Sequence, residues 1–245
     1  MDKGIYVAMT GAQAVLRAQA AVANNLANKD TAGFKAGRVA TDTFEIPGEG
    51  LPTRVDAMPT SAGFDASPGP VRITGNDLDI ALRENVWLAV AGADGAEAYT
   101  RGGELRISPN GLLTTASGRP VLGDGGPVSV PPHAKLTIGA DGTLSMQPLG
   151  QGPETLARTG RLRLLEASPD ALARGDDGLM RAREPLPRAE GSVVTAGALE
   201  GSNVDVAGSL VSMIELSRRF EMQVKVMRDS EEMARASASL MRLGN

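Results

Sequence analysis

Between Ser202 and Met241, apolar residues recur at alternating steps of four and three: Val206, Leu210, Met213, Phe220, Val224, Met227, Ala234, Ala238 and Met241. Ser217 and Glu231 are the polar breaks in the series. This spacing is the a/d seam of a coiled coil, and no proline interrupts it. At about 1.5 Å per residue the stretch makes a helix about 60 Å long. One apolar stripe on so long a helix needs a second helix along its length. Ser202-Asn203-Val204-Asp205 fits a loose capping-box pattern and marks the expected start, and Gly244 lies just past the end.

Residues 3–28 supply the matching helix. Ile5, Met9, Ala12, Leu16, Gln19, Ala23 and Leu26 repeat the four–three step, with Gln19 as the polar miss and Val15 and Val22 widening the stripe. The few large seam residues bury about 5–12 kcal/mol gross, at roughly 1.5–3 kcal/mol each. Ordering some twenty-five residues costs more, at about 1–2 kcal/mol per residue. The helix is therefore expected to gain its order from neighbouring subunits. Asn24, Asn25 and Asn28 suit its C-terminus, where a left-handed residue is common.

Residues 36–70 read as a connection, with five prolines among glycines and no sustained period; Phe44, Ile46 and Phe64 are its candidate docking points. Residues 71–165 carry strand and hairpin patterns. Val71-Arg72-Ile73 opens the set, Leu78 to Leu82 alternates, and Val86 to Val90 is a continuous apolar run, hence a buried strand. Asp94-Gly95, Asn110-Gly111 and Asp141-Gly142 are hairpin turns, and Arg161 to Leu165 closes the region. A compact antiparallel sandwich or barrel is expected. Residues 166–201 return to loop character before the C-terminal helix. The fold class is α+β: terminal helices pairing as a coiled coil around a central all-β antiparallel domain. The expected divisions are 1–35, 36–70, 71–165, 166–201 and 202–245.

Composition excludes several classes. The net charge of −4 offers no electrostatic case for nucleic acid or an anionic membrane. Cysteine is absent, which removes disulfides, thiolate metal sites and cysteine nucleophiles. No run approaches the ~18 apolar residues of a membrane span. Met1-Asp2-Lys3-Gly4 does not start a Sec-type signal. His133, the one histidine, follows two prolines and reads as an exposed loop residue. Asp77 and Asp79 would share a strand face, a pairing that suits acid–base work or a cation, but a solvated face near Gly75 is the simpler reading. Gly123 to Pro127 is a turn without the Lys-Ser/Thr of a phosphate loop, and Asp176-Asp177-Gly178 lacks EF-hand spacing. No catalytic, cofactor or metal site is expected.

Three sets of residues carry a family resemblance. Ala23-Asn24-Asn25-Leu26-Ala27-Asn28, then Thr31 and Gly33-Phe34-Lys35, resemble the N-terminal signature of the bacterial flagellar rod, hook and hook–filament junction family. Ala32 stands where that family usually has proline. Gly197 to Asp205, continuing through Met213-Ile214-Glu215 and Arg219 to Gln223, resembles the C-terminal signature. Asn85 to Val90, Ala98 to Arg101, Gly111 to Thr114 and Gly118 to Gly123 resemble the proximal-rod members, and the distal-rod members tend to have an aromatic pair where this chain has Trp87-Leu88.

The resemblance implies a structural subunit of the basal-body rod, built into a tube with itself and other rod subunits. It also implies export through the flagellar type III apparatus and a periplasm-spanning location. The implied assembly residues are Ile5, Met9, Ala12, Leu16, Gln19, Ala23, Asn24, Asn25, Leu26, Asn28, Gly33, Phe34, Asn203, Val206, Leu210, Met213, Phe220, Val224 and Met227. On that reading, deletion of residues 1–33 leaves the β region folded and abolishes assembly. The residues alone also admit a secreted β-domain binding module on a coiled-coil stalk, or a hydrolase using Asp77 or Asp79.

Overall fold

The computed structural model describes residues 2–45, 55–148, 150, 156–175 and 177–243. Ile46 and Asp176 lie outside the described residues, as do the side chains of Phe44, Ala234, Ala238 and Met241. A long helix stands at each end, α1 (Asp2–Ala27) and α2 (Val206–Leu243), and the chain between them is mostly short antiparallel strands. It divides into two compact units, one of residues 1–27, 37–63 and 205–245, the other of 28–36 and 64–204.

In the first unit α1 and α2 lie side by side and antiparallel. A Cβ on Gly11 would meet the Gln223 amide at 3.2 Å. Ala18, Ala21 and Val22 line one cleft with Ser212, Glu215, Leu216 and Arg219, so rising numbers on α1 face falling numbers on α2. Alanine and glycine on α1 make this approach possible: Ala8, Ala12 and Ala14 are buried although they carry little surface. Strands Gly37–Glu45 and Val55–Phe64 pair as a two-stranded sheet, where sequence pattern reads only a connection.

The second unit is built on a five-stranded sheet in the order 164–166, 86–91, 97–100, 180–182, 172–174. Its strand Val86–Ala91 explains the unbroken apolar run. Val86, Leu88 and Val90 enter one hydrophobic core, while Trp87 and Ala89 enter a second with Phe64, Tyr99, Leu165 and Met180. A strand covered on both faces has no polar alternation. A three-stranded sheet follows, of 133–138, 143–148 and 157–161, and two-stranded ribbons pair 105–107 with 113–115 and 122–123 with 126–127. The hairpins expected at Asp94-Gly95, Asn110-Gly111 and Asp141-Gly142 are present, each glycine with positive φ.

The stretch 166–201 departs from its loop reading. It holds strands Leu172–Arg174, Met180–Ala182, Val194–Ala196 and Ala198–Glu200. Each has three residues, too few for a period-2 pattern to register. Two of them pair far away in sequence, 194–196 with 80–82 and 198–200 with 71–73. They tie this segment into the β unit. The result is a set of small sheets around two cores rather than one closed barrel.

Candidate functional site

The polypeptide passes between the two units at residues 27/28, 36/37, 63/64 and 204/205. On the β-unit side of these crossings sits a buried ionic cluster. Lys35, Arg101 and Glu200 are each less than 5% exposed, at 3%, 4% and 2%. Glu200 Oε1 accepts from Lys35 Nζ at 2.8 Å and from the Gly69 amide at 3.0 Å; its Oε2 accepts from Arg101 Nε at 2.7 Å. Lys35 Nζ also donates to Ser67 O at 2.7 Å. The Arg101 guanidinium further donates to the carbonyls of Leu82 and Val86, both at 2.8 Å, and lies over the Trp87 ring.

These partners explain the electrostatics. Burial pushes the Glu200 carboxyl up, but Arg101 and Lys35 outweigh it and hold the group below the usual carboxylate range. For Lys35 burial dominates, and the ammonium is pulled down although Glu200 acts against that. Nothing in the cluster is open to a substrate. Its charges are spent on each other and on backbone carbonyls.

Asn203 binds the crossings together. Its Oδ1 accepts from the Ala36 amide at 2.7 Å, and its Nδ2 donates to Asp65 O at 2.9 Å and Ser67 O at 3.0 Å. One side chain thus holds segments that leave the unit at 36, 64 and 204. The capping-box reading of Ser202-Asn203-Val204-Asp205 is corrected here, because α2 starts at Val206 and Asp205 precedes it. Gly33, with φ +68°, donates its amide to Glu200 O at 2.8 Å, and a Cβ there would lie 2.1 Å from the Arg101 carbonyl carbon. Phe34 lies under the Arg174 guanidinium at 4.6 Å. Asn25 exchanges two 2.9 Å hydrogen bonds with the backbone of Gly37, within the helical unit. The Asn28 side chain accepts from Thr31 in the turn after α1, and Asn24 is solvent-facing.

The helix residues divide by face. On α1, Ala12 is buried, Ile5, Gln19 and Leu26 are half-buried, and Met9, Leu16 and Ala23 are exposed. On α2, Met213, Phe220, Val224 and Met227 are half-buried, whereas Val206 and Leu210 are exposed. Ser212, Leu216 and Gln223 share the covered side of α2, and the seam drawn from sequence does not contain them. Leu216 replaces the polar Ser217 of that seam. Met213, Phe220, Val224 and Met227 stay on the half-buried side with Ser212, Leu216 and Gln223, so the covered stripe overlaps the drawn seam and departs from it at Val206, Leu210 and Ser217, and both stripes carry apolar residues. Sequence spacing therefore could not rank them.

The residues singled out for chemistry have structural surroundings. Asp79 is buried and accepts from Asn76 Nδ2 at 3.1 Å; Asp77 is exposed and 3.6 Å from Lys135 Nζ. The two carboxylates do not share a solvated strand face, because Asn76 to Asp79 closes a turn in which Asp79 N donates to Asn76 O. His133 begins a strand, half-buried, with Nδ1 2.9 Å from Pro131 O. Among the described residues no group of His, Cys, Asp and Glu could hold a metal ion, and no described helix is long and apolar enough to cross a membrane.

Comparison with known proteins accounts for these segments in chain order. Residues 5–35 match the model for the flagella basal body rod protein, 81–146 that for the flagellar hook protein FlgE/F/G D1 domain, and 195–240 that for the flagellar basal body rod FlgEFG protein C-terminal region. The flagellar basal-body rod protein FlgF of Escherichia coli K12 is 41% identical over 98% of this chain and 99% of its own length. The chain belongs to the FlgF family of flagellar basal-body rod proteins. FlgF of Salmonella typhimurium LT2 is 42% identical over 95% of each chain, and FlgG of Buchnera aphidicola from Schizaphis graminum is 28% identical over 98% of this one. FlgF proteins are structural subunits of the basal-body rod and not enzymes. The ion pair joins Lys35, the last residue of the 5–35 match, to Glu200, which lies within the 195–240 match.

Proposed function

We propose that this FlgF-family chain is a structural subunit of the proximal rod and polymerises through its terminal helices into the shaft that transmits torque. One observation carries the reading. Paired within one chain, α1 and α2 still leave a second apolar face in solvent: Tyr6, Met9 and Leu16 on α1, and Leu210, Val211, Ile214, Met222, Val226 and Met233 on α2. Apolar surface of this extent along two helices marks an interaction site. Packing against the helices of neighbouring copies and other rod proteins buries it, in the knobs-into-holes manner of a coiled coil. The seam residues of both helices and Asn24, Asn25, Asn28, Gly33, Phe34 and Asn203 then act as the interface and its support. The subunit travels through the flagellar export apparatus and resides in the rod across the periplasm.

The test uses Leu16→Glu and Ile214→Glu together in cells whose only copy carries them. Both sites are exposed, at 48% and 57%, so the isolated chain keeps its fold. Motility and rod-bearing basal bodies are expected to disappear while the purified variant melts with the parent. Normal rods from this variant would sink the helix-assembly reading.

A further inference from the structure

Among the described residues, the most exposed large apolar side chain of the β unit lies on the ribbon that flanks the ionic cluster. Ile73 is 90% exposed and Val71 60%, and the strand Val71–Ile73 is solvent-facing at all three residues. Its partner strand Ala198–Glu200 covers one side only: Ala198 pairs with Ile73, Leu199 with Arg72 and Glu200 with Val71, in a sheet of two strands. Thr74 N donates to Gly197 O and Gly201 N to Pro70 O. The paired rungs therefore fall at 70, 72 and 74. In an antiparallel ladder the N–H and C=O groups of the intervening residues, Val71 and Ile73, point to the open edge. Apolar side chains and unused backbone groups thus coincide at one edge, and monomeric proteins usually blunt such an edge.

We infer that this edge accepts an added strand from a second copy of the chain, and that the strand is Phe44-Glu45-Ile46. The inference rests on the rod-subunit reading, since it needs copies side by side. Self-pairing of two Val71–Ile73 edges is disfavoured, because antiparallel alignment sets Arg72 against Arg72, and like charges directly opposite destabilise. The occupant must instead offer an acidic residue between two apolar ones. Phe44-Glu45-Ile46 has that order in the sequence, and Phe44 and Glu45 end a strand whose sheet has two members. Antiparallel addition sets Ile46 against Val71, Phe44 against Ile73 and Glu45 against Arg72. Phe64-Asp65-Ala66, Leu78-Asp79-Ile80, Ala96-Glu97-Ala98 and Leu165-Glu166-Ala167 have the same order but are consumed inside the β unit, where Phe64, Ile80, Ala98 and Leu165 are buried, and Val204-Asp205-Val206, Ile214-Glu215-Leu216 and Phe220-Glu221-Met222 run into or along α2. Val55-Asp56-Ala57 has smaller flanks and makes a poorer partner for Ile73. Backbone bonds would supply affinity and the alternating side chains register, as in strand addition generally.

The absence of cysteine makes the test direct. Two full-length variants, Ile73→Cys and Phe44→Cys, are expressed together in cells lacking the parent chain, and isolated basal bodies are treated with a short bis-maleimide. Because each chain carries one thiol, a product joining the two variants is intermolecular. It is expected several-fold above a Leu156→Cys control, a side chain also exposed, at 65%. Adding Arg72→Glu to the first variant should lose most of that product, and Glu45→Arg in the second should restore it. No excess over the control, a yield insensitive to the charge swap, or preferential joining of Asp56→Cys in place of Phe44→Cys would each overturn the contact. Cells that swim normally without the product would remove this contact and leave the helix-assembly reading standing.

Discussion

Replacing Glu200 by glutamine keeps the shape of the ionic cluster and removes its one negative charge. In the parent, three donors converge on that carboxylate at 2.7 to 3.0 Å, from Arg101, Lys35 and the Gly69 amide. The variant leaves a lysine and an arginine, each under 5% exposed, without the one carboxylate that contacts both; Asp65 acts on Lys35 more weakly. Breaking a buried pair in this way costs about 3–5 kcal/mol, because the remaining charge stays desolvated. At roughly 2–4 °C per kcal/mol for a domain of this size, the β unit should melt ~6–20 °C lower. Trp87 is the only tryptophan, lies against Arg101 and is buried, so its fluorescence reads this unit directly.

The pH dependence separates charge from shape. The folded Glu200 pKa is held below its ordinary 4.5. Its stabilising contribution is therefore complete above the unfolded value and is lost as pH falls through the lower folded value. Glutamine has no such step, so the gap between parent and variant should narrow on acidification through that window. Asp30→Asn is the control. It breaks the Lys29–Asp30 pair, whose side chains are 43% and 85% exposed, and should change stability by less than ~1 kcal/mol. A Glu200→Gln variant that melts with this control, or a gap that does not change with pH, would refute the argument.

Two further outcomes follow from the same cluster. Gly33→Ala should destabilise the β unit by more than the ~1–2 kcal/mol of left-handed strain, because its Cβ would lie 2.1 Å from a backbone carbon of Arg101; an unchanged Trp87 melting curve would count against this. A fragment of residues 28–204 should show the parent's Trp87 emission and cooperative melting, whereas 37–204 should not, since it lacks Gly33, Phe34 and Lys35; equal behaviour of the two fragments would show that the cluster is dispensable.

This fragment pair differs from a deletion of residues 1–33, which sequence reading suggests would spare the β region. The structure assigns residues 28–36 to that region, and removing Gly33 takes away the amide that holds the Glu200 backbone. The turn signals and the buried strand 86–91 are legible in one dimension because their cause is local: a glycine with positive φ, or an apolar run between two cores. Family motifs around Lys35, Arg101 and Glu200 are legible as words, but no spacing reveals their joint role. Lys35 and Glu200 stand 165 positions apart.

Sequence alone determined that two long helices with apolar stripes flank a turn-rich β region, and that charge and cysteine content give no case for nucleic acid, an anionic membrane or thiol chemistry. Periodicity suffices for this because a helix repeats its face every few residues. Only tertiary structure decided which stripe α2 turns to α1, that Leu216 lies on it while Leu210 faces solvent, and that the short strands of 166–201 belong to the β unit. Those outcomes depend on partners supplied from far along the chain, and a three-residue strand or a partial shift of the covered stripe on a helix leaves no mark until those partners are in place.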